Sequence, residues 1–223
     1  ADKGNKTVDQ IQQAVPLEDF LPDLEMEFPD LPADFLLYQL LQSVIRLCQR
    51  ANVLRRTAVI KTVPCAMNYV LEPPDCMDVI AVMAVDELCG DHIRRVFTAD
   101  PKPRCNCPLT LDSWFSHGDD FVTIEGNEII FSARSCNSYK VTMSVQPKEV
   151  CDVDSVLYER YKDAVLLGAR LALYSMKSRD WAADATTLTM LEKQYRDAVA
   201  SAALDTLTRK QRGVVKMRHP PVI

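Results

Sequence analysis

Cys89-Gly90-Asp91-His92, followed by Cys105-Asn106-Cys107, places three thiols and one imidazole in two close pairs. Zinc takes such sets tetrahedrally, because thiolate and imidazole are its preferred donors, but structural sites usually separate paired cysteines by about two to four residues. The single residue between Cys105 and Cys107 is tighter than that, and Arg94, Arg95, Lys102 and Arg104 crowd the set with like charge. We read loop thiols and a surface histidine here, and expect no metal and no cofactor. Ser116-His117-Gly118-Asp119-Asp120 gathers a hydroxyl, an imidazole and two carboxylates. Catalytic triads, however, are assembled across a fold, and neighbours on a strand point to opposite sides. A polar turn ahead of Phe121 is the reading we adopt. Of the three histidines, His92, His117 and His219, none stands four residues from another. With six glycines there is no Gly-x-Gly-x-x-Gly and no Walker loop to cradle phosphate. Arg55-Arg56 and Arg94-Arg95 could meet phosphates, but each lies among apolar strand residues, so ion pairs are expected. An enzyme is not expected.

The elements that would carry these residues follow from periodicity. Residues 1–31 hold Pro16, Pro22 and Pro29 among carboxylates, a composition that predicts an extended acidic arm. Pro32 sits where a first-turn proline is tolerated, and from Ala33 to about Val53 the residues Leu37, Leu41, Val44, Cys48 and Ala51 share a helix face, with Leu36, Leu40 and Leu47 beside it. So wide an apolar arc predicts a helix covered on more than one side. From about 55 to 147 the period becomes two: Tyr139, Val141, Met143 and Val145 alternate with Ser138, Lys140, Thr142 and Ser144. FVTIEGNEIIF predicts a hairpin turning at Gly126-Asn127. Asp152 or Asp154, then Asp184, are the expected caps of two further helices.

In the first of those helices Leu157, Tyr161, Ala164, Gly168 and Leu171 recur at steps of three and four, and Gly168 would admit a close neighbour. In the second, Leu188, Leu191, Tyr195, Ala198, Ala202 and Thr206 oppose Glu192, Lys193, Arg196 and Asp197. The expected fold is α+β: a three-helix bundle (32–54 and 152–212) with an inserted β-sandwich or barrel module (55–151), an N-terminal arm (1–31) and an extended C-terminal docking tail (213–223).

Composition bounds the function. An apolar fraction of 48% over 223 residues excludes global disorder, and ADKGNKTVDQ has no apolar core of a signal peptide, so a soluble chain made in a cytoplasm is expected, with no membrane partner. The eight cysteines are dispersed and read as free thiols. Net charge is −5, distributed unevenly: residues 1–34 carry nine acids against two bases, and residues 206–223 carry five bases and no acid. Overall acidity argues against sequence-specific nucleic-acid binding.

A helix bearing Gly168-Ala169-Arg170-x-Ala172-Leu173, Trp181 just past its end, and a second alanine-rich helix with Tyr195 together resemble the head-to-tail adaptor proteins of short-tailed bacteriophages. The opening DFLPDLEMEFPDLPADFLLYQLLQSVIRLCQRANVLRRTAVIKTV and the strand segment NYVLEPPDCMDVIAVMAV agree with that family, so the likeness spans nearly the whole chain. The resemblance implies a virion protein of the head-tail junction, made in the host cytoplasm. It would form a ring of about twelve copies with closed symmetry. Its partners would be the portal protein, the tail nozzle protein and tail fibre or other tail proteins, and genomic DNA would pass through without specific binding. The expected portal anchor is the C-terminal segment, in which Gly213 ends the helix and Pro220 and Pro221 keep the chain extended. Arg209, Lys210, Arg212, Lys216, Arg218 and His219 supply polar contacts there, and Val214, Val215, Met217, Val222 and Ile223 supply apolar ones. Gly168, Trp181 and Tyr195 are the expected helix-packing residues. Two other readings stay open: a head-completion stopper, and a zinc-stabilised nucleic-acid module using Cys89, His92, Cys105 and Cys107.

Overall fold

The computed structural model describes residues 14–62, 68–73, 76–89, 92–98, 122–125, 128–131, 138–150, 152–176 and 183–211. The chain divides into two units, Ala1–Leu54 with Pro147–Ile223, and Arg55–Gln146.

In the first unit, strand β1 (Ala14–Val15) pairs antiparallel with β9 (Val153–Asp154), placing Ala14 opposite Asp154 and Val15 opposite Val153. A 3-10 turn (Leu17–Phe20) and the short helix α1 (Leu21–Glu25) follow β1. Helix α2 (Ala33–Ala51) comes next and ends where Asn52, at φ 50°, donates its N–H to the Cys48 carbonyl at 2.9 Å. Asparagine tolerates this left-handed cap conformation better than branched residues. Helix α3 (Ser155–Tyr174) starts at Asp154, whose carboxylate accepts the Val156 N–H at 3.2 Å. Helix α4 (Ala185–Gln211) starts at Asp184, which accepts the Thr187 N–H at 2.9 Å. Hydrogen bonding from the Thr187 side chain, and then from its backbone N–H, holds the Asp184 carboxyl below the usual carboxylate range. The core of this unit is Leu36, Leu40, Val44 and Leu47 of α2 against Leu157, Val165, Ala169 and Leu173 of α3, all without solvent exposure. Each leucine or valine among them contributes about 1.5 to 3 kcal/mol by leaving water.

The second unit contains two ladders. One runs in the order β2 (Arg55–Lys61), β8 (Ser138–Pro147), β4 (Met77–Cys89), β5 (His92–Thr98); the other runs β3 (Asn68–Val70), β7 (Glu128–Phe131), β6 (Val122–Glu125). Tyr139, Val141, Met143 and Val145 of β8 are buried, as a strand alternating toward one core requires. Phe131 stacks between Tyr69, at 5.5 Å and near a right angle, and Tyr139, at 4.4 Å, so an aromatic row joins β3, β7 and β8. Glu125 pairs with Glu128, which leaves a two-residue connection at the expected hairpin.

These observations correct the expected fold class. The chain is an α+β mix with four α-helices among the described residues, not a three-helix bundle. The fourth is α1, formed by the very segment expected to be an extended arm. Pro22 does not forbid this helix, because it occupies the first turn, where the missing N–H has no intrahelical partner. In the second unit the strands lie in two antiparallel ladders, of four and of three strands, and no strand among the described residues pairs back to close either into a barrel. A period of two identifies strands but carries no information about which strand pairs with which. The C-terminal arm, residues 213–223, lies outside the described residues.

Candidate functional site

α3 is the organising element of the first unit, because two of its faces are engaged in different ways. Tyr158, Lys162, Arg170 and Tyr174 fall on one face at 3.6 residues per turn, and this face receives the 3-10 turn and α1. Phe20 meets Tyr158 edge-on at 5.2 Å, Asp23 pairs with Lys162 at 2.7 Å, and Phe28 lies 5.0 Å from Tyr174. Glu27 closes the seam: one carboxylate oxygen accepts from Arg170 Nε at 2.7 Å and the other from the Tyr174 hydroxyl at 2.6 Å. Partial burial, and then this bond to Glu27, push the Tyr174 hydroxyl up to about 12.

The opposite face of α3 carries Tyr161 and Gly168. A Cβ added at Gly168 would overlap Ser43 Oγ of α2 and come within 2.9 Å of Tyr195 Cε2 of α4. Three helices therefore meet at one backbone position that only glycine fits. Ser43 Oγ donates to the Val165 carbonyl at 2.6 Å, which ties α2 to α3 at the same level. Farther along, the Tyr161 hydroxyl donates to Asp205 at 2.7 Å, and Thr206 Oγ1 lies 2.9 Å from the Ala51 carbonyl and 2.8 Å from that of Ala203. Tyr195 is 5% exposed, and its hydroxyl is buried with no hydrogen-bond partner among the described residues. Burial pushes the pKa of that phenol up, and the charges of Arg50 and Arg46 oppose the rise.

Beside this junction a cleft of about 470 Å³ opens, lined by Arg46 and Arg50 of α2, Leu171 and Ser175 at the end of α3, and Glu192, Tyr195 and Arg196 of α4. The Arg50 guanidinium stands over the Tyr195 ring at 5.8 Å. Arg196 binds Glu192 one turn away at 3.1 Å. Arg46 and Arg50 have no carboxylate partner among the described residues, so the cleft carries uncompensated positive charge.

Of the residues singled out from sequence, Gly168 and Tyr195 come together at the helix junction, whereas Trp181 lies outside the described residues. Arg209 and Lys210 fall in the last turn of α4; Arg212, Gly213 and the segment from Val214 to Ile223 lie outside. Cys89 and His92 are register partners closing the β4–β5 ladder, and Cys105, Cys107 and Ser116 to Asp120 lie outside the described residues. Among the described residues no group of three or more His, Cys, Asp or Glu side chains is placed to hold a metal ion, and no helix is long and apolar enough to cross a membrane. Cys48 is a free thiol, and burial pushes it up to about 12, which keeps it protonated.

Sequence reasoning missed the α1 seam. Its signal was present: Leu17, Phe20, Leu21, Leu24 and Phe28 are spaced at three and four and are all buried. Asp23 and Glu27, one turn apart, match Lys162 and Arg170, two turns apart. No family model matches this chain, and no curated protein matches it.

Proposed function

We propose that this chain is a structural virion protein of a short-tailed bacteriophage, a head-to-tail adaptor whose copies form a ring between the portal and the tail nozzle, with tail fibre or other tail proteins at its sides. The observation that carries this reading is the outer edge of α4. Leu204 is 63% exposed and Leu207 41% exposed, and they stand directly before Arg209 and Lys210 and the basic, proline-ended tail. Large apolar side chains held in water on the last turns of a helix, continuous with a basic tail, suit a docking edge for another protein. The helical unit behind that edge is joined by close packing at Gly168, which fits a mechanical role. The Gly168 and Arg170 positions that carry the resemblance serve its two seams.

The test is incubation with the cognate portal. The full chain binds it and closes into rings visible by negative stain. Removing residues 213–223 leaves the melting temperature in place and abolishes portal binding. Normal assembly of the truncated chain on portals sinks the anchor assignment, and absence of any portal binding by the full chain sinks the adaptor reading.

A further inference from the structure

We infer that the Arg46/Arg50 cleft is the docking site for the acidic α1 edge of a second copy of this chain, in a head-to-tail contact. Both halves of the contact lie in the helical unit. Glu18, Asp19, Glu25 and Asp30, on and beside the 3-10 turn and α1, are exposed and have no basic partner among the described residues. They are the surplus of an acidic stretch whose other members, Asp23 and Glu27, are committed to Lys162 and Arg170 of α3. The cleft is their electrostatic complement: Arg46 and Arg50 are exposed at its rim, and Arg50 is held in place over the Tyr195 ring.

Within one copy no ion pair joins these charges among the described residues. The acidic edge is fastened to the face of α3 that carries Tyr158, Lys162, Arg170 and Tyr174, whereas the cleft lies against the face that carries Gly168, Leu171 and Ser175. Unpaired carboxylates on one side and unpaired guanidiniums on the other make the unit self-complementary in one sense only, edge to cleft. A contact of that kind is heterologous, and repeated through a rotation that divides a full turn it closes a ring. Arginine suits the receiving side, because its planar fork can take a carboxylate through two donors. Ring closure rests on the adaptor reading above; the edge-to-cleft contact itself does not.

Sedimentation of the full chain at high concentration and low ionic strength tests the contact. The wild type associates with increasing concentration, and added salt weakens the association. R46E/R50E on the cleft and E18K/D19K/E25K on the edge each weaken it by roughly tenfold or more, since like charges then face each other. All five positions are solvent-exposed, so melting temperatures stay near that of the wild type. An equimolar mixture of the two variants regains association, because each now offers the other a matched pair of surfaces. A wild type that stays monomeric throughout, or association indifferent to both variants, overturns the contact. A chain that associates through this contact but ignores the portal leaves the contact standing and overturns the adaptor reading instead.

Discussion

The two faces of α3 solve the same problem by different physics. Toward α2 and α4 the helix gives up a side chain, at Gly168, so that Ser43 and Tyr195 can approach its backbone. Toward α1 it extends long side chains, Lys162, Arg170 and Tyr174, to reach a partner held at a distance. The first seam depends on shape and is buried; the second depends on charge and is half open to water. Close packing loses several kcal/mol when its shape is violated, whereas part-exposed ion pairs contribute little each and weaken with salt.

The largest expected effect comes from emptying the first seam. Tyr195→Ala leaves a cavity at the junction and should cost roughly 3 to 5 kcal/mol, read as a shift in the denaturation midpoint. Gly168→Ala is the sharper probe, because two terms oppose each other. Alanine gains about 1 kcal/mol in helix propensity. The added methyl overlaps Ser43 and Tyr195, so a net loss of about 1 to 3 kcal/mol is expected. A stabilised Gly168→Ala protein would show that the helices can separate at no cost, and the contrast between the faces would collapse.

The second seam should respond far more weakly. Glu27→Gln keeps the shape and removes the charge, and is expected to cost under about 1 kcal/mol, with most of that difference vanishing in high salt. Its pH response has a definite sign. The Tyr174 phenol lies above its ordinary value of 10 in the folded chain, near 12. Its contribution is therefore fully present below pH 10 and is lost as pH rises toward 12. A tyrosinate absorbance titration followed alongside α1 proteolysis checks this: cleavage near Glu25 should begin in that window. The smallest expected effect is that of Tyr195→Phe, which removes the buried, unpartnered hydroxyl while retaining the ring. It should be neutral or stabilising by up to about 1 kcal/mol. A clear loss would reveal a partner for that hydroxyl.

Much of the helical unit was legible in advance because its residues announce themselves at short range. The wide apolar arc of α2, the caps at Asp154 and Asp184, and the stripe of Leu157, Tyr161, Ala164 and Gly168 are all local patterns. The α1 segment was hidden behind its prolines, whose conformational restriction was read as excluding a helix when it only delimits one. The Arg46/Arg50 cleft was not legible at all, since its walls come from positions separated by more than a hundred residues.

Sequence by itself determined the type and span of the long helices, the alternation that makes β8 a strand, and the polarity of charge from an acidic beginning to a basic end. Only the tertiary structure decided which charges are used up and which are left over. Periodicity is a property of one element, whereas the pairing of Glu27 with Arg170, the exclusion of any side chain at position 168, and the lack of carboxylate partners for Arg46 and Arg50 among the described residues depend on which faces meet once distant segments pack.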